Sequence, residues 1–387
     1  MKPINKSIIL SAGMAIFSML FGAGNVVYPL LVGTQTQDKY ILGILGFLIS
    51  GILFPLMGTL SIMLFEGDYL KFFAKLGKYP GFLITLFIMC LIGPFGATPR
   101  IVCIAYGSIK NIFPQLHLIS FSLITCLIIF FFTIKKKRFL DVLGYILTPI
   151  LLGSLLLIIC IGLFKISRLT PSNYTYSKAL LKGFKDGNQT MDLFGTLCFS
   201  SMIYNIFKTK ISKKENKKLF SLSLKASIIG LSLLALIYIC FIKISAFYGS
   251  FLSNLTGAEL LTTLTTIILG SKASYVSSII IALACLTTAI ALCRVFTDFF
   301  HEKLFKEKIK YSYCLIGFLI VTFLLSTLNF DGITKVLNPI LIIIYPAIIV
   351  LSCMNILHKL YGFKMIKIPV FLTLIISMFL KLFMSLH

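Results

Sequence analysis

Apolar residues in this chain gather into long runs, separated by short polar stretches rich in lysine. A run of roughly 20 apolar residues is what an α-helix needs to cross a bilayer. The pattern predicts about eleven spans, at 7–33, 41–65, 81–109, 118–134, 140–164, 189–207, 219–244, 273–300, 312–328, 334–357 and 368–386. The segment Ala258–Leu269 reads as a short helix in the outer connection 245–272. The fold class is an all-α polytopic membrane protein.

The first span does not run unbroken. Phe21-Gly22-Ala23-Gly24-Asn25-Val26-Val27-Tyr28-Pro29 places two glycines, an asparagine and a proline in its middle, and these weaken or end a helix. In lipid an unpaired backbone group is costly, so such a break persists where something polar fills it, and a small ligand or ion is the natural filler. Counted from residue 7, Gly22–Asn25 lies roughly 22–27 Å into the membrane at about 1.5 Å per residue, and tilt brings it nearer the midplane. The sixth span has a counterpart. Asn188-Gln189-Thr190-Met191-Asp192-Leu193-Phe194-Gly195-Thr196 puts a carboxylate and a glycine inside a helix. Spans one and six correspond if the first ten spans are two repeats of five, 7–164 and 189–357, followed by an extra helix at 368–386. Interrupted helices at matching places are the sequence pointer to a transporter site at an inverted-repeat interface.

Span eight carries Ala284-Cys285-Leu286-Thr287-Thr288 at a similar depth. Two adjacent hydroxyls and the Ala284 carbonyl one turn earlier are hard oxygen donors suited to an alkali cation. The alternative is that each threonine bonds its own helix at i−4. Span three contains Gly93-Pro94-Phe95-Gly96-Ala97-Thr98-Pro99-Arg100. An arginine within a span faces the bundle interior or water. Arg100 and Asp192 both fall in the outer portion, which gives three readings: two close groups that shape and gate the outer access path, two groups that snorkel separately to the outer interface, or a static structural pair. Arg294 and Asp298, at i and i+4 near the inner end of span eight, form either a local helix pair or part of an inner gate.

Composition agrees with a membrane protein. The 387 residues are 58% hydrophobic and 12% charged, about half the charged share of a soluble domain, and the mean hydropathy is +1.01. The net charge of +24 sits in loop lysines, the pattern of a cytoplasmic face against anionic lipid, and implies no nucleic-acid partner. With a cytoplasmic N-terminus, basic residues favour the inner side about twofold. The connection 165–188, with Lys178, Lys182 and Lys185 outside, is the exception. The N-terminal segment reads as a first span, with no signal-peptide cleavage pattern. The ten cysteines show no CxxC or Cys/His spacing, so neither a disulfide framework nor a transition-metal site is expected. His117, His301, His358 and His387 lie at span ends or in loops. No catalytic constellation forms, and a cofactor other than a coupling ion is not expected.

The run Gly22–Pro29 with Gly33 and Gln35, the Gly93–Arg100 run, Thr190–Gly195 and Ala284–Thr288 together resemble the bacterial branched-chain amino acid transport system II carriers. These are the leucine/isoleucine/valine:cation symporters of the APC superfamily. The similarity runs in order over nearly the whole chain to Tyr345-Pro346. Members usually have twelve spans, where this chain shows eleven, and Val26-Val27 and Leu30-Leu31 stand where bulkier or Pro-Pro versions are common. The resemblance implies a LeuT-type bundle of ten core helices in a five-plus-five inverted repeat, with helices 1 and 6 broken. It also implies uptake of leucine, isoleucine and valine with Na⁺, or H⁺, across the bacterial cytoplasmic membrane.

On that basis Phe21, Gly22, Ala23, Gly24, Asn25, Met191, Asp192, Phe194 and Gly195 are the expected substrate site. The amide end of the half-helix restarting near Gly24 takes the carboxylate, freed carbonyls near Phe21, Gly22 and Met191 take the ammonium, and Phe194 buries the side chain. Ser18, Phe21, Ala284, Thr287 and Thr288 are the expected cation site, the carbonyl assignments being carried over from the fold. A proton-driven relative can carry a lysine in the fifth span; here Val142–Phe164 has no Lys, Asp, Glu or His, which favours Na⁺. Alternatives are H⁺ coupling, another neutral amino acid, or a non-transporting sensor. A channel would need a repeated filter or charge ring, and none is seen.

Overall fold

The computed structural model describes residues 6–110, 112–134, 148–165, 169–210, 216–252, 255, 257 and 259–386. Among these there are helices and connecting turns and no strand. The first span is two helices, α1 (Lys6–Leu20) and α2 (Ala23–Thr36), parted where Gly22 takes extended backbone angles (φ −116°, ψ −158°). The second is α3 (Tyr40–Leu48) and α4 (Phe54–Leu64), joined by a wide π turn at Ile49–Leu53. Pro55 has no N–H for the Gly51 carbonyl, which accounts for a wide turn there.

The third span divides into α5 (Lys78–Ile92) and α6 (Ala97–Lys110). Between them the Phe95 N–H reaches the Cys90 carbonyl (3.0 Å) and the Thr98 N–H the Gly93 carbonyl (3.2 Å), so the Gly93–Gly96 run interrupts this helix as well. α7 (Leu118–Ile134) has the predicted bounds. α8 (Thr148–Phe164) is the described part of span five; its predicted start at 140–147 and the basic run Lys135–Arg138 lie outside the described residues.

The sixth span differs from expectation. It is α9 (Tyr176–Gln189) followed by α10 (Asp192–Lys210), so the helix begins inside the stretch predicted as an outer loop. Lys178, Lys182 and Lys185 belong to this half-helix rather than to a loop. Lys182 pairs with Asp186 one turn on (2.8 Å). α11 (Asn216–Phe247), α12 (Leu260–Leu269), α13 (Ser271–Asp298), α14 (Tyr311–Ser326), α15 (Asn329–Tyr361) and α16 (Lys367–Leu386) complete the chain. Ala23–Leu64, Lys78–Lys110, Lys218–Phe247, Ile281–Leu304 and Asn329–Tyr361 are each long and apolar enough to cross a membrane, and shorter apolar helices accompany them. The protein is a multi-pass membrane protein.

Packing places the breaks centrally. α11 lies along both α1 and α2, α13 along α6 and α1, α10 against α4 and α11, and α9 against α3. The α3–α9 seam is made by glycines. A Cβ on Gly183 would stand 2.1 Å from the Gly43 carbonyl oxygen, and one on Gly46 would stand 2.1 Å from that of Leu180. Small residues allow such backbone contact in membranes, where packing rather than water drives association. Gly183→Val is expected to destabilise by about 1–3 kcal/mol or more through overpacking, seen as a lower thermal unfolding midpoint in detergent; an unchanged midpoint contradicts the seam.

Outside the membrane, Asp38 in the α2–α3 connection accepts from the Ser172 amide (2.8 Å) and pairs with Lys39 (3.0 Å). The Lys39 ammonium and the Ser172 amide hold its carboxyl below the usual range. This fastens the chain entering α9 to the end of α2.

Candidate functional site

The end of α1 shows how the break frees oxygen. In an unbroken helix the Gly22 amide would bond the Ser18 carbonyl. Here it donates instead to Asn25 Oδ1 (3.1 Å), leaving the Ser18 carbonyl without its helical donor. The Thr288 hydroxyl of α13 fills the position, 3.0 Å from the Ser18 carbonyl oxygen, 3.1 Å from that of Phe21 and 3.3 Å from that of Ala284. A hydroxyl carries one proton, so three acceptors converge on a group able to satisfy one at a time. Thr287, one position earlier, donates to the Ala284 carbonyl (2.8 Å). All five residues expected at a cation site thus lie at one crossing of α1 and α13. The Ser18 contribution is its carbonyl; its buried hydroxyl has no partner among the described residues.

The second break faces the first. Met191 adopts a left-handed conformation (φ 63°) between α9 and α10. A Cβ on Gly24 would stand 3.0 Å from Thr190 Cα, so the two interrupted backbones approach closely and glycine leaves the room for it. Asn25 Nδ2 donates to Asp192 Oδ1 (2.7 Å) and also reaches the Tyr238 hydroxyl. Tyr238 of α11 donates to Asp192 Oδ2 (2.5 Å). Asn25, Asp192 and Tyr238 are all buried, and the three side chains tie α2, α10 and α11 together. The Leu193 amide at the start of α10 donates to the Tyr345 hydroxyl (3.2 Å).

Between the breaks lies a cavity of about 40 Å³. A water needs roughly 10–15 Å³ of such space, so the cavity holds a few waters and must widen for anything larger. Gly22, Ala23, Gly24, Asn25, Met191, Asp192 and Gly195 line it, as does Thr288. Phe194 does not. Its ring packs on Tyr345 (centroids 5.0 Å apart) and is fully buried there, so the expectation that it covers a ligand side chain is corrected. The apolar wall comes from residues the sequence reading passed over: Met19, Leu20, Ile92, Ile101, Phe199 and Leu292. Phe21 turns its ring to Phe17 and Phe241 and offers the site its carbonyl.

Arg100 also lines the cavity. It and Asp192 share this space, but they form no ion pair: Arg100 bonds Tyr28 and Met191, and Asp192 bonds Asn25 and Tyr238. At the C-terminal end of α13, Arg294 Nε lies 3.7 Å from Asp298 Oδ2, the local pair that their i, i+4 spacing allows. Tyr238 and Tyr345 were not singled out in the sequence. Their signal is a tyrosine deep within an apolar run, away from the interfaces where tyrosine is common.

Comparison with known proteins adds a family and a fold. The family profile described as branched-chain amino acid transport protein matches residues 5–386. Among relatives, a protein of Staphylococcus aureus (strain bovine RF122) named as a branched-chain amino acid carrier is 28% identical over 394 residues, covering 95% of this chain and 86% of its own. One of Staphylococcus saprophyticus with the same name is 30% identical over 385 residues, covering 94% and 86%. Among solved structures, MhsT in complex with L-phenylalanine aligns with a TM-score of 0.62 at 15% identity, over 94% of this chain and 98% of that one. Inward-facing Mhp1 aligns with a TM-score of 0.60 at 14% identity, over 91% and 77%. These likenesses show the LeuT fold.

Proposed function

The chain belongs to the branched-chain amino acid transport protein family, and from that premise we propose that it imports leucine, isoleucine and valine across the bacterial cytoplasmic membrane together with Na⁺, by alternating access. It is a transporter and not an enzyme. The observation that carries the sodium reading is the convergence of the Ser18, Phe21 and Ala284 carbonyls on the Thr288 hydroxyl. Unwound carbonyls beside a helix break are how transporters of this architecture hold small cations. In the proposal Na⁺ sits among these oxygens with Thr287 completing the set, and the hydroxyl protons turn away.

The substrate occupies the cavity between the breaks. Ala23 and Gly24 present the amide end of α2 to its carboxylate, and the ammonium takes the Gly22 carbonyl and the second lone pair of the Met191 carbonyl, which already accepts from the Gly195 amide (3.0 Å). The apolar wall of Met19, Leu20, Ile101 and Phe199 takes the branched side chain, stabilised by about 25 cal/mol per Å² buried. The cation's charge favours the carboxylate nearby, so ion and substrate strengthen each other's binding reciprocally. Access alternates between two five-helix units, 7–164 and a second that starts at Tyr176 rather than at 189, with the N-terminus cytoplasmic.

Asp192 supports a second reading, coupling to H⁺. It is a buried carboxylate in the span interior whose described partners, Asn25 and Tyr238, are uncharged. Such intramembrane carboxylates serve proton relays. Uptake of radiolabelled leucine into proteoliposomes at fixed pH, with Na⁺ replaced by K⁺, separates the two. The sodium reading expects uptake to collapse. Unchanged uptake that follows a pH gradient refutes it in favour of protons. No leucine uptake under either gradient refutes leucine transport itself.

A further inference from the structure

Arg100 is 2% exposed and lines the cavity between the two breaks. Its Nη1 donates to the Tyr28 hydroxyl (3.2 Å) and its Nη2 to the Met191 sulfur (2.7 Å). Its Nε has no partner among the described residues. Among the described residues no carboxylate oxygen comes within 4.0 Å of it. A guanidinium does not shed its proton, and a thioether is a weak acceptor. A charge in the membrane interior is costly and normally finds a partner or water. The one carboxylate lining the same cavity, Asp192, is engaged on both oxygens by Asn25 and Tyr238. The cavity therefore offers a cation and an anion that do not neutralise each other, which is the complement of a zwitterion.

We propose that Arg100 binds the carboxylate of the amino acid substrate, its planar fork taking the two oxygens together while the Met191 sulfur is displaced. The assignment rests on the proposed amino acid substrate and deepens it. The amide end of α2 at Ala23–Gly24 and the guanidinium face one cavity, so the carboxylate sits between them. A fork that grips both oxygens is more selective than a point charge, so the site requires a free carboxylate and rejects amino alcohols and amides of the same side chain.

Binding of leucine and of leucinol, which lacks the carboxylate, is measured on purified protein in Na⁺ buffer by competition with radiolabelled leucine or by calorimetry. Wild type is expected to prefer leucine by about 100-fold, the worth of hydrogen bonds to a charged group. Arg100→Gln is expected to lose about that factor for leucine and little for leucinol, so the preference collapses. Arg100→Lys keeps the charge without the fork and is expected to fall between, about tenfold weaker for leucine. It decides the matter if the glutamine variant does not elute as a monodisperse protein. If wild type binds leucine and both variants keep the leucine-to-leucinol ratio, the carboxylate role is overturned while the substrate reading stands. If wild type binds no leucine, the substrate reading falls and the assignment falls with it.

Discussion

Replacing Thr288 by valine is expected to make transport need far more Na⁺. The substitution keeps the branched shape and deletes the hydroxyl that stands 3.0–3.3 Å from the carbonyls of Ser18, Phe21 and Ala284. A hydrogen-bonding group directed at a charge is worth about 1.5–3 kcal/mol, so the Na⁺ concentration for half-maximal uptake should rise roughly 10–100-fold. The fold should survive, because Thr288 is buried among packed helices and a methyl fills the space its oxygen leaves. Wild-type sodium dependence in a folded Thr288→Val protein contradicts the placement of the ion. Thr287→Val provides a graded comparison. The Thr287 hydroxyl is bonded to its own helix and must reorient to serve, so its loss should cost less.

Gly24→Leu is expected to abolish leucine binding while leaving an inserted bundle. The added Cβ would stand 3.0 Å from Thr190 Cα and 3.3 Å from the Gln189 carbonyl oxygen, both backbone atoms with nowhere to go. Its remaining carbons would occupy the cavity itself. Overpacking alone costs about 1–3 kcal/mol, and filling the ligand's space adds to it, so affinity should fall by more than about 100-fold. The contacts of α11 with α1 and α2 that build the bundle lie along the lengths of those helices and should hold. A monodisperse Gly24→Leu protein that binds leucine like wild type would refute contact between the breaks. Gly22→Leu strikes another wall, since a Cβ there meets the Thr288 methyl at 3.1 Å. It should therefore disturb sodium dependence as well as substrate affinity.

Most of the architecture is legible in the sequence because a membrane permits few solutions. Backbone groups in lipid must be satisfied within a helix, so an apolar run of the right length is nearly a helix assignment. The bounds of α7 and α16 show how closely it works. The start of the sixth span shows where it fails. Tyr176–Gln189 carries Lys178, Lys182, Lys185, Asp186 and Asn188, so by hydropathy it reads as a loop. Yet Ala179, Gly183, Asp186 and Gly187 are buried at helical spacing. The legible signal is that amphipathic period and the Thr175 side chain that caps the Lys178 amide, not hydrophobicity.

The site was legible in its backbone and less so in its side chains. Breaks announce themselves through glycine, and the threonine pair through its hydroxyls. Which aromatic faces the cavity depends on helix rotation. Phe194 and Phe199 are five positions apart on α10 and so point to different faces, and the chain alone did not say which face is inward. Arg100 and Asp192 attract pairing on paper as the opposite charges of the outer half. The structure gives Asp192 to Asn25 and Tyr238, partners with no charge to advertise them.

The glycine seam between α3 and α9 bears on how this molecule moves. Backbone in contact with backbone at Gly43, Gly46 and Gly183 leaves no compliant side chains to absorb sliding, and Asp38 pins the approach to α9 from the other end. The first half of the sixth span, α9, is in effect riveted to α3 of the second span. The break at Met191 therefore joins two differently held half-helices: α9 meets α3 backbone to backbone, whereas α10 packs on α4 and α11, its Leu193, Thr196 and Leu197 side chains meeting Gly58 of α4.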